Sequence, residues 1–432
     1  MAESLKDKTA KGLMWGALNS GTTQLLNLFF GIFLGRLLSP ADYGLVGVLS
    51  IFSLIALFFP QPELTVLSRV VFLSFFISSF GISMNAYMTK NMMQREMAIV
   101  SIAALIISGI TAISMALAGM TYWSIAAQQV VNSLVLVLGR LFFIKWRPTF
   151  DFDFTPIRQT FSFSMKILVT MVITTVSNNM LTVIFGNMLG MRTTGNFFQA
   201  SKWNTMAHSL ISNTVMQVAQ PVLVEIRNEQ EREIRIFRKM LRFTAFFAFP
   251  ALLGLSLVSR EFIVTTIGEG WLDAVPILQI LCIGGAFMPF YTLYQNLVIS
   301  YGRSDINMWL NILQIAIQLG IIIALSHMGV LHMVAAYTVF NIVWLGVWQM
   351  AAHRLTGLRF MQVFADLTPF FFAAAFVMIA THYATSWMTI APLLLLARVV
   401  VAGILYLVVM KLAHAQILDE CLHYVTHKHH QA

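Results

Sequence analysis

Windows of roughly twenty residues without Asp, Glu, Lys or Arg recur along this chain, among them 97–118, 274–300, 306–326 and 330–350. A run of that length matches the ~30 Å hydrocarbon core of a bilayer, where a backbone satisfies its own N–H and C=O groups only as a helix or a closed barrel. The ~10-residue alternation of barrel strands is absent. Each window therefore reads as a membrane-crossing helix, and the fold class as an all-α polytopic membrane protein. Composition agrees: the chain is 58% hydrophobic and 10% charged, with a mean hydropathy of +0.78. Soluble domains average ~45–50% apolar and ~25% charged residues, so an ordinary soluble enzyme is excluded. At ~30 residues per helix and loop, 432 residues hold about a dozen crossings and no separate soluble domain. Function then lies inside the helix bundle.

The apolar windows delimit thirteen spans, near 13–35, 43–59, 69–88, 97–118, 122–144, 163–188, 203–223, 243–262, 274–300, 306–326, 330–350, 364–383 and 390–411. The 27 Lys and Arg outnumber the 18 Asp and Glu, an excess that fits basic cytoplasmic loops and gives no nucleic-acid footprint. Segment 225–242, with Arg227, Arg232, Arg235, Arg238, Lys239 and Arg242, and segment 353–359, with Arg354 and Arg359, mark the cytoplasmic side. The C-terminus is then cytoplasmic. Counting thirteen spans back puts the N-terminus outside, against the Lys6, Lys8 and Lys11 cluster, so one crossing is missing from the first half. The first apolar stretch holds Asn19, Gln24 and Asn27 and no small-residue cleavage site, which reads as a retained helix.

Internal repetition locates the missing crossing. A shift of 151 positions aligns Asn27 with Asn178, Gly35 with Gly186, Leu38 with Leu189 and Gly44 with Gly195. The sixth span thus resembles the first, and the halves read as two pseudo-repeated helical lobes around a central cavity. The expected regions are an N-terminal lobe at 1–150 with five apparent spans, a six-span C-terminal lobe at 151–355, and two further spans with a cytoplasmic tail at 356–432. The first lobe is shortened. Only residues 45–59 separate Gly44 from the turn at Pro60–Leu64, where the second half has two helices before the turn at Gly268–Trp271.

The segments "GRLLSPADYGLVGV", "PQPELTVLSRV", "TTGNFFQASKW", "QPVLVEIRNEQEREIRIFRKML", "FPALLGLSLVSREFIVTTIGEGWLDAVPILQIL" and "SYGRSDINMWLNI" together resemble the polysaccharide-transport branch of the multidrug/oligosaccharidyl-lipid/polysaccharide exporter superfamily. The resemblance covers nearly the whole chain. It implies a bacterial inner-membrane flippase with two six-helix lobes, usually two further helices, and both termini cytoplasmic. The chain departs from that pattern between Leu54 and Phe59, where the end of one helix, a loop and the start of another are absent.

No acyl-transfer, phosphate-loop, dinucleotide or zinc signature is present, so neither catalysis nor a cofactor is expected. Cys282 and Cys421 offer no disulfide framework, and His423, His427, His429 and His430 read as a solvated tail or, through i, i+4 spacing, a metal site. More telling are polar groups within the spans, since each costs free energy in hydrocarbon unless it is paired or faces a wet cavity. Asn307, Asn311, Gln314 and Gln318, at i, i+4, i+7 and i+11, place four amides on one helical face. Lys166, Thr174, Asn178 and Asn179 in the sixth span, and Gln24 and Asn27 in the first, form similar rows. Such rows suit a sugar, whose hydroxyls both donate and accept, or they join helix to helix. Lys166 is read as the cation set well inside a span, able to meet a diphosphate or to snorkel to the interface. Arg36 and Arg303 are possible phosphate contacts at the cavity mouths. No acidic residue occupies the middle of a span; Glu261, Asp273, Asp305 and Asp366 lie near ends. That argues against a proton- or sodium-coupled drug exporter. The periodicity of Ile234, Phe237 and Leu241 predicts an amphipathic helix lying on the cytoplasmic leaflet.

Taken with the resemblance, these features point to alternating-access movement of a polyprenyl-diphosphate-linked oligosaccharide across the inner membrane for lipopolysaccharide or exopolysaccharide assembly. The partners expected are that lipid-linked oligosaccharide, membrane lipids and polysaccharide assembly proteins, with no nucleic acid. A multidrug or small-amphiphile exporter and a non-transporting membrane scaffold are the alternatives.

Overall fold

The computed structural model describes residues 5–49, 62–91, 93–144, 190–226, 229–413 and 417–418, with Phe154, Thr155, Arg158, Phe161 and Met165 as isolated positions. Expectations resting on Leu54–Phe59, Lys166, Thr174, Asn178, Asn179 and the His-bearing tail lie outside the described residues. Everything regular among the described residues is helical. In chain order the helices are α1 (Leu5–Leu37), α2 (Pro40–Leu49), α3 (Pro62–Lys90), α4 (Gln94–Leu117), α5 (Trp123–Phe143), α6 (Met191–Ile226) and α7 (Gln230–Thr266). There follow α8 (Ala274–Gly285), α9 (Met288–Ser300), α10 (Ser304–Ala324), α11 (Val330–Thr356), α12 (Phe360–Ala384) and α13 (Ala391–Leu412). Among the described residues nine segments are long and apolar enough to cross a membrane: α3, α4, α5, α7, α8 with α9, and α10 to α13. The chain is a multi-pass membrane protein. Its outer faces carry large apolar side chains such as Phe75, Phe76, Phe80, Ile323 and Phe372, an exterior only lipid would solvate.

The chain divides into two compact units, residues 1–198 with 266–270, and residues 199–265 with 271–432. In the first, α4 packs on α1 and α5, and α5 on α3. Between α1 and α2 the chain turns at Ser39, whose N–H donates to Asp42 Oδ2 (3.0 Å) while its Oγ accepts from Asp42 N–H (3.3 Å). This reciprocal cap, with Pro40 at the first helical position, starts α2 three residues before the expected span at 43–59.

Gly44 and Gly195, matched by the 151-residue repeat, meet in space. A Cβ on Gly44 would lie 2.0 Å from the Met191 carbonyl oxygen, and one on Gly195 would lie 1.6 Å from that of Pro40. The same shift relates Pro40 to Met191, so the contact is reciprocal, as a pseudo-two-fold between repeats requires. Only glycine lets the two backbones approach so closely.

In the second unit α11 packs on α8, α9 and α10, while α12 packs mainly on α13. Its core holds Trp348, Tyr294, Phe237, Phe249 and Phe290. Gly357, at φ +80°, closes α11 in the left-handed region, its N–H donating to the His353 carbonyl (2.8 Å). The 37 residues of α7 extend ~55 Å at ~1.5 Å per residue, well beyond a ~30 Å hydrocarbon core.

The first turns of α7 therefore correct the expectation of a separate helix lying on the leaflet. They continue the span and dock on protein. Phe237 and Leu241 are fully buried, Phe237 against Tyr294. The polar flank is tied down as well: Tyr301 Oη donates to the Glu233 carboxylate, Gln230 Nε2 to the Thr356 carbonyl (2.8 Å), and Arg238 makes a two-pronged pair with Asp366 (2.6 and 3.1 Å).

Pro250 stands inside α7. Lacking an N–H, it strands the carbonyl four residues back, that of Phe246. Tyr406 on α13 donates its hydroxyl to that oxygen at 3.1 Å.

Candidate functional site

The four-amide row occupies the inward face of α10. Asn307, Asn311, Gln314 and Gln318 are half-buried, while Trp309 and Leu313 on the other side are exposed. Gln314 Nε2 and Gln318 Nε2 both donate to Asn341 Oδ1 on α11, at 2.8 and 2.6 Å. Asn341 is buried, and its carbonyl accepts from the Tyr291 hydroxyl of α9 at 2.5 Å. Nearer the start of α10, Gln295 Nε2 of α9 donates to Asn311 Oδ1 (3.4 Å), and Asn311 Nδ2 donates to the Asn307 carbonyl (2.7 Å). Three helices are thus joined through amides. The NH2 groups of Gln314 and Gln318 point to α11, while the partial exposure of the row leaves an edge that a hydroxyl-bearing molecule could meet.

Of the other expected site residues that are described, Gln24, Asn27 and Arg36 belong to the first unit and Arg303 to the second. Gln24 is half-buried and Asn27 exposed on α1. Arg36 lies in the last turn of α1, and its Nε donates to the Thr266 carbonyl at 2.5 Å. A cation there caps the carbonyl end of a helix, where the backbone dipole favours positive charge. Arg303 is exposed and pairs with Asp305 at 2.9 Å.

Three features escaped the sequence reading. Asn341, which organises the amide cluster, is a single amide in an apolar stretch of α11, while Tyr291 stands at i, i+4 from Gln295 on α9, a spacing that the sequence reading left unused. Arg398 stands eight residues into α13, so Lys166 is not alone as a cation within a predicted span. Arg398 pairs with Glu261 at 2.8 Å with both side chains buried, and also donates to the Leu257 carbonyl and to Thr385. Several acceptors thus surround one buried guanidinium, and the interior tolerates such a charge pair only with geometry of this kind.

The third feature is a row on α6. Asn196, Gln199 and Trp203, at i, i+3 and i+7, share one face, with Asn204 and His208 beside it. Gln199 is fully buried with neither amide atom bonded, and Trp203 Nε1, Asn204 Oδ1 and His208 Nδ1 also have no hydrogen-bond partner. Trp203 meets Phe262 edge to face, with ring centroids 5.1 Å apart, and Asn204 lies against Gly285, where a Cβ would come within 2.1 Å of its Oδ1. The segment "TTGNFFQASKW" carried the signal in its spacing. Among the described residues no group of His, Cys, Asp and Glu could hold a metal ion.

The family profile described as "Polysaccharide biosynthesis protein" matches residues 48–276, more than half of the chain. The teichuronic acid biosynthesis protein TuaB of Bacillus subtilis (strain 168) is 25% identical over 410 residues, 93% of this chain and 82% of that protein. The lipopolysaccharide biosynthesis protein WzxC of Escherichia coli (strain K12) is 24% identical over 258 residues, 58% of this chain and 52% of that protein. Among solved structures, the lipid II flippase MurJ in an inward closed conformation superposes with a TM-score of 0.62 at 14% identity, covering 94% of this chain and all of that one. At that identity the likeness is one of fold.

Proposed function

The chain belongs to the polysaccharide biosynthesis protein family, and from that premise we propose that it is a flippase moving a polyprenyl-diphosphate-linked oligosaccharide across the bacterial inner membrane by alternating access. The observation that carries this reading is the amide cluster of α9, α10 and α11 within a bundle of apolar spans. Amides and a tyrosine hydroxyl replace, with protein dipoles, the hydration that a sugar loses in crossing. Relatives named for surface-polysaccharide biosynthesis and a fold shared with a lipid flippase support the same reading.

In this reading the sugars meet Asn307, Asn311, Gln314 and Gln318, together with Gln24, Asn27, Thr174, Asn178 and Asn179 of the repeat-related rows. Lys166, Arg36 and Arg303 receive the diphosphate. Arg36 and Arg303 then exchange their present partners, the Thr266 carbonyl and Asp305, for phosphate oxygens. The lobes at 1–150 and 151–355 rock about each other while the segment 356–432 ends in the cytoplasm, and polysaccharide assembly proteins take over the product. No bond is made or broken in the passenger.

The test is complementation. A deletion strain accumulates lipid-linked oligosaccharide in the inner leaflet and loses surface polysaccharide. Wild type restores both, and a variant with Asn311→Leu, Gln314→Leu and Gln318→Leu, present at wild-type level, restores neither. Full restoration by that variant refutes the cavity assignment, and restoration of polysaccharide without any effect on leaflet distribution marks a scaffold.

A further inference from the structure

We propose that the cleft between α11 and α12 binds one anionic phospholipid, with an acyl chain in the cleft and the phosphate against Arg354 and Arg359. A cavity of about 520 Å³ lies there within the second unit, framed by α7, α9, α11 and α12. Phe249, Phe287, Leu345, Phe364 and Phe371 are among its walls, with Gly346 in the wall from α11. A Cβ added to Gly346 would meet no atom within 4 Å.

The polar groups in the wall are already satisfied. Gln349 accepts from the Tyr294 hydroxyl at 2.8 Å and donates to the Leu358 carbonyl at 3.0 Å, and the Thr368 hydroxyl donates to the Phe364 carbonyl. A sugar or a charged drug would find nothing to bond there and would lose its hydration. An alkyl chain loses nothing. The mouth is rimmed by Val343, Phe364 and Phe372, each more than half exposed, on a surface bathed in lipid. An apolar cavity stays dry, so the occupant comes from the hydrocarbon beside it.

Charge fixes the head group. Val343, Gly346, Met350 and Arg354 recur at i, i+3, i+7 and i+11, so they lie along one face of α11. From Val343 to Arg354 is ~16 Å along the axis, a depth that suits a phosphate at the interface and a chain reaching toward mid-bilayer. Arg359 directly precedes Phe360, a wall residue at the same end. Both arginines are exposed, and neither belongs to an ion pair among the described residues. The basic end of the bundle is the one assigned to the cytoplasmic leaflet, where anionic lipids concentrate. Since α12 leans mainly on α13, a lipid here fills the gap that α12 leaves against α11.

This inference stands apart from the transport reading, and its test needs no transport. The full chain, purified and delipidated in neutral detergent, is melted with phosphatidylglycerol, phosphatidylcholine or undecaprenyl phosphate added. Phosphatidylglycerol is expected to raise Tm by roughly 3–5 °C and phosphatidylcholine by less than half as much. Gly346→Phe, which fills the cavity, abolishes the response to all three, with Gly346→Leu as a milder version should Phe prevent folding. Arg354→Gln with Arg359→Gln removes the preference for the anionic lipid and leaves a smaller, charge-independent response. Mass spectrometry of the native complex should find about one retained phospholipid per chain, several-fold depleted in either variant. An unchanged phosphatidylglycerol response in both variants overturns the proposal. So does a response to undecaprenyl phosphate alone, which would give the cleft to a lipid carrier instead.

Discussion

Two rows of polar side chains in the second unit were built to opposite rules. On α10, half-buried amides reach across to Asn341, and two of them end on a single acceptor oxygen. On α6, Gln199, Trp203 and Asn204 are more enclosed, yet they and the half-buried His208 each have a polar atom with no partner. A partnered amide joins helices at ~0.6 kcal/mol per bond in membranes, whereas an unpartnered buried polar group costs stability. Joining helices accounts for the NH2 groups of Gln314 and Gln318, and leaves the half-exposed edge of the first row to a passenger. The second lowers stability as it stands, the property that a row kept for a polar passenger would have.

The largest way to press this contrast uses the buried pair of Glu261 and Arg398, where the cost of lost partnership is greatest. Glu261→Ala strands a buried guanidinium and should destabilise the chain by ~3–5 kcal/mol, while Glu261→Leu combined with Arg398→Met should fall close to wild type. Chemical denaturation in detergent measures both. Equal losses in the single and double variants would mean that packing, and not partnership, holds these helices. Next in size, Asn341→Leu removes the acceptor shared by Gln314 and Gln318 and should cost about 1 kcal/mol. Adding Gln314→Leu to that background should then cost little further, a coupling that a double-mutant cycle reads directly. The smallest effect has the opposite sign: Gln199→Met should leave stability unchanged or raise it by up to ~1 kcal/mol, while polysaccharide export falls. Destabilisation by Gln199→Met would erase the distinction between the rows.

How much of this the amino-acid order revealed depends on whether a feature repeats along the helix. Nine spans among the described residues were legible because hydrocarbon demands length and apolarity, both local properties. The amide face of α10 was legible because four residues share the 3.6-residue period. Asn341, its partner, was not, since one amide in α11 acquires meaning only when another helix is laid beside it. The segment from Gln230 to Arg242 shows the limit from the other side. Its period correctly marked Phe237 and Leu241 as a buried face, but a period names no neighbour, and the face is covered by Tyr294 and the rest of the bundle instead of lipid. Arg398 was not legible as a paired charge, since its partner Glu261 lies on another helix and meets it only in the folded bundle. The glycine pair at 44 and 195 was found as an alignment and gained its physical reason when the two backbones proved to touch.

Where Pro250 interrupts α7, the rigid rod has a seam, and the Tyr406 hydroxyl is the stitch across it. Pulling α13 aside would bare the Phe246 carbonyl to hydrocarbon, so straightening or flexing of α7 is tethered to the whereabouts of a helix more than 150 residues further along the chain. A phenylalanine at position 406 would cut that tether while keeping the ring, freeing the two helices to move independently.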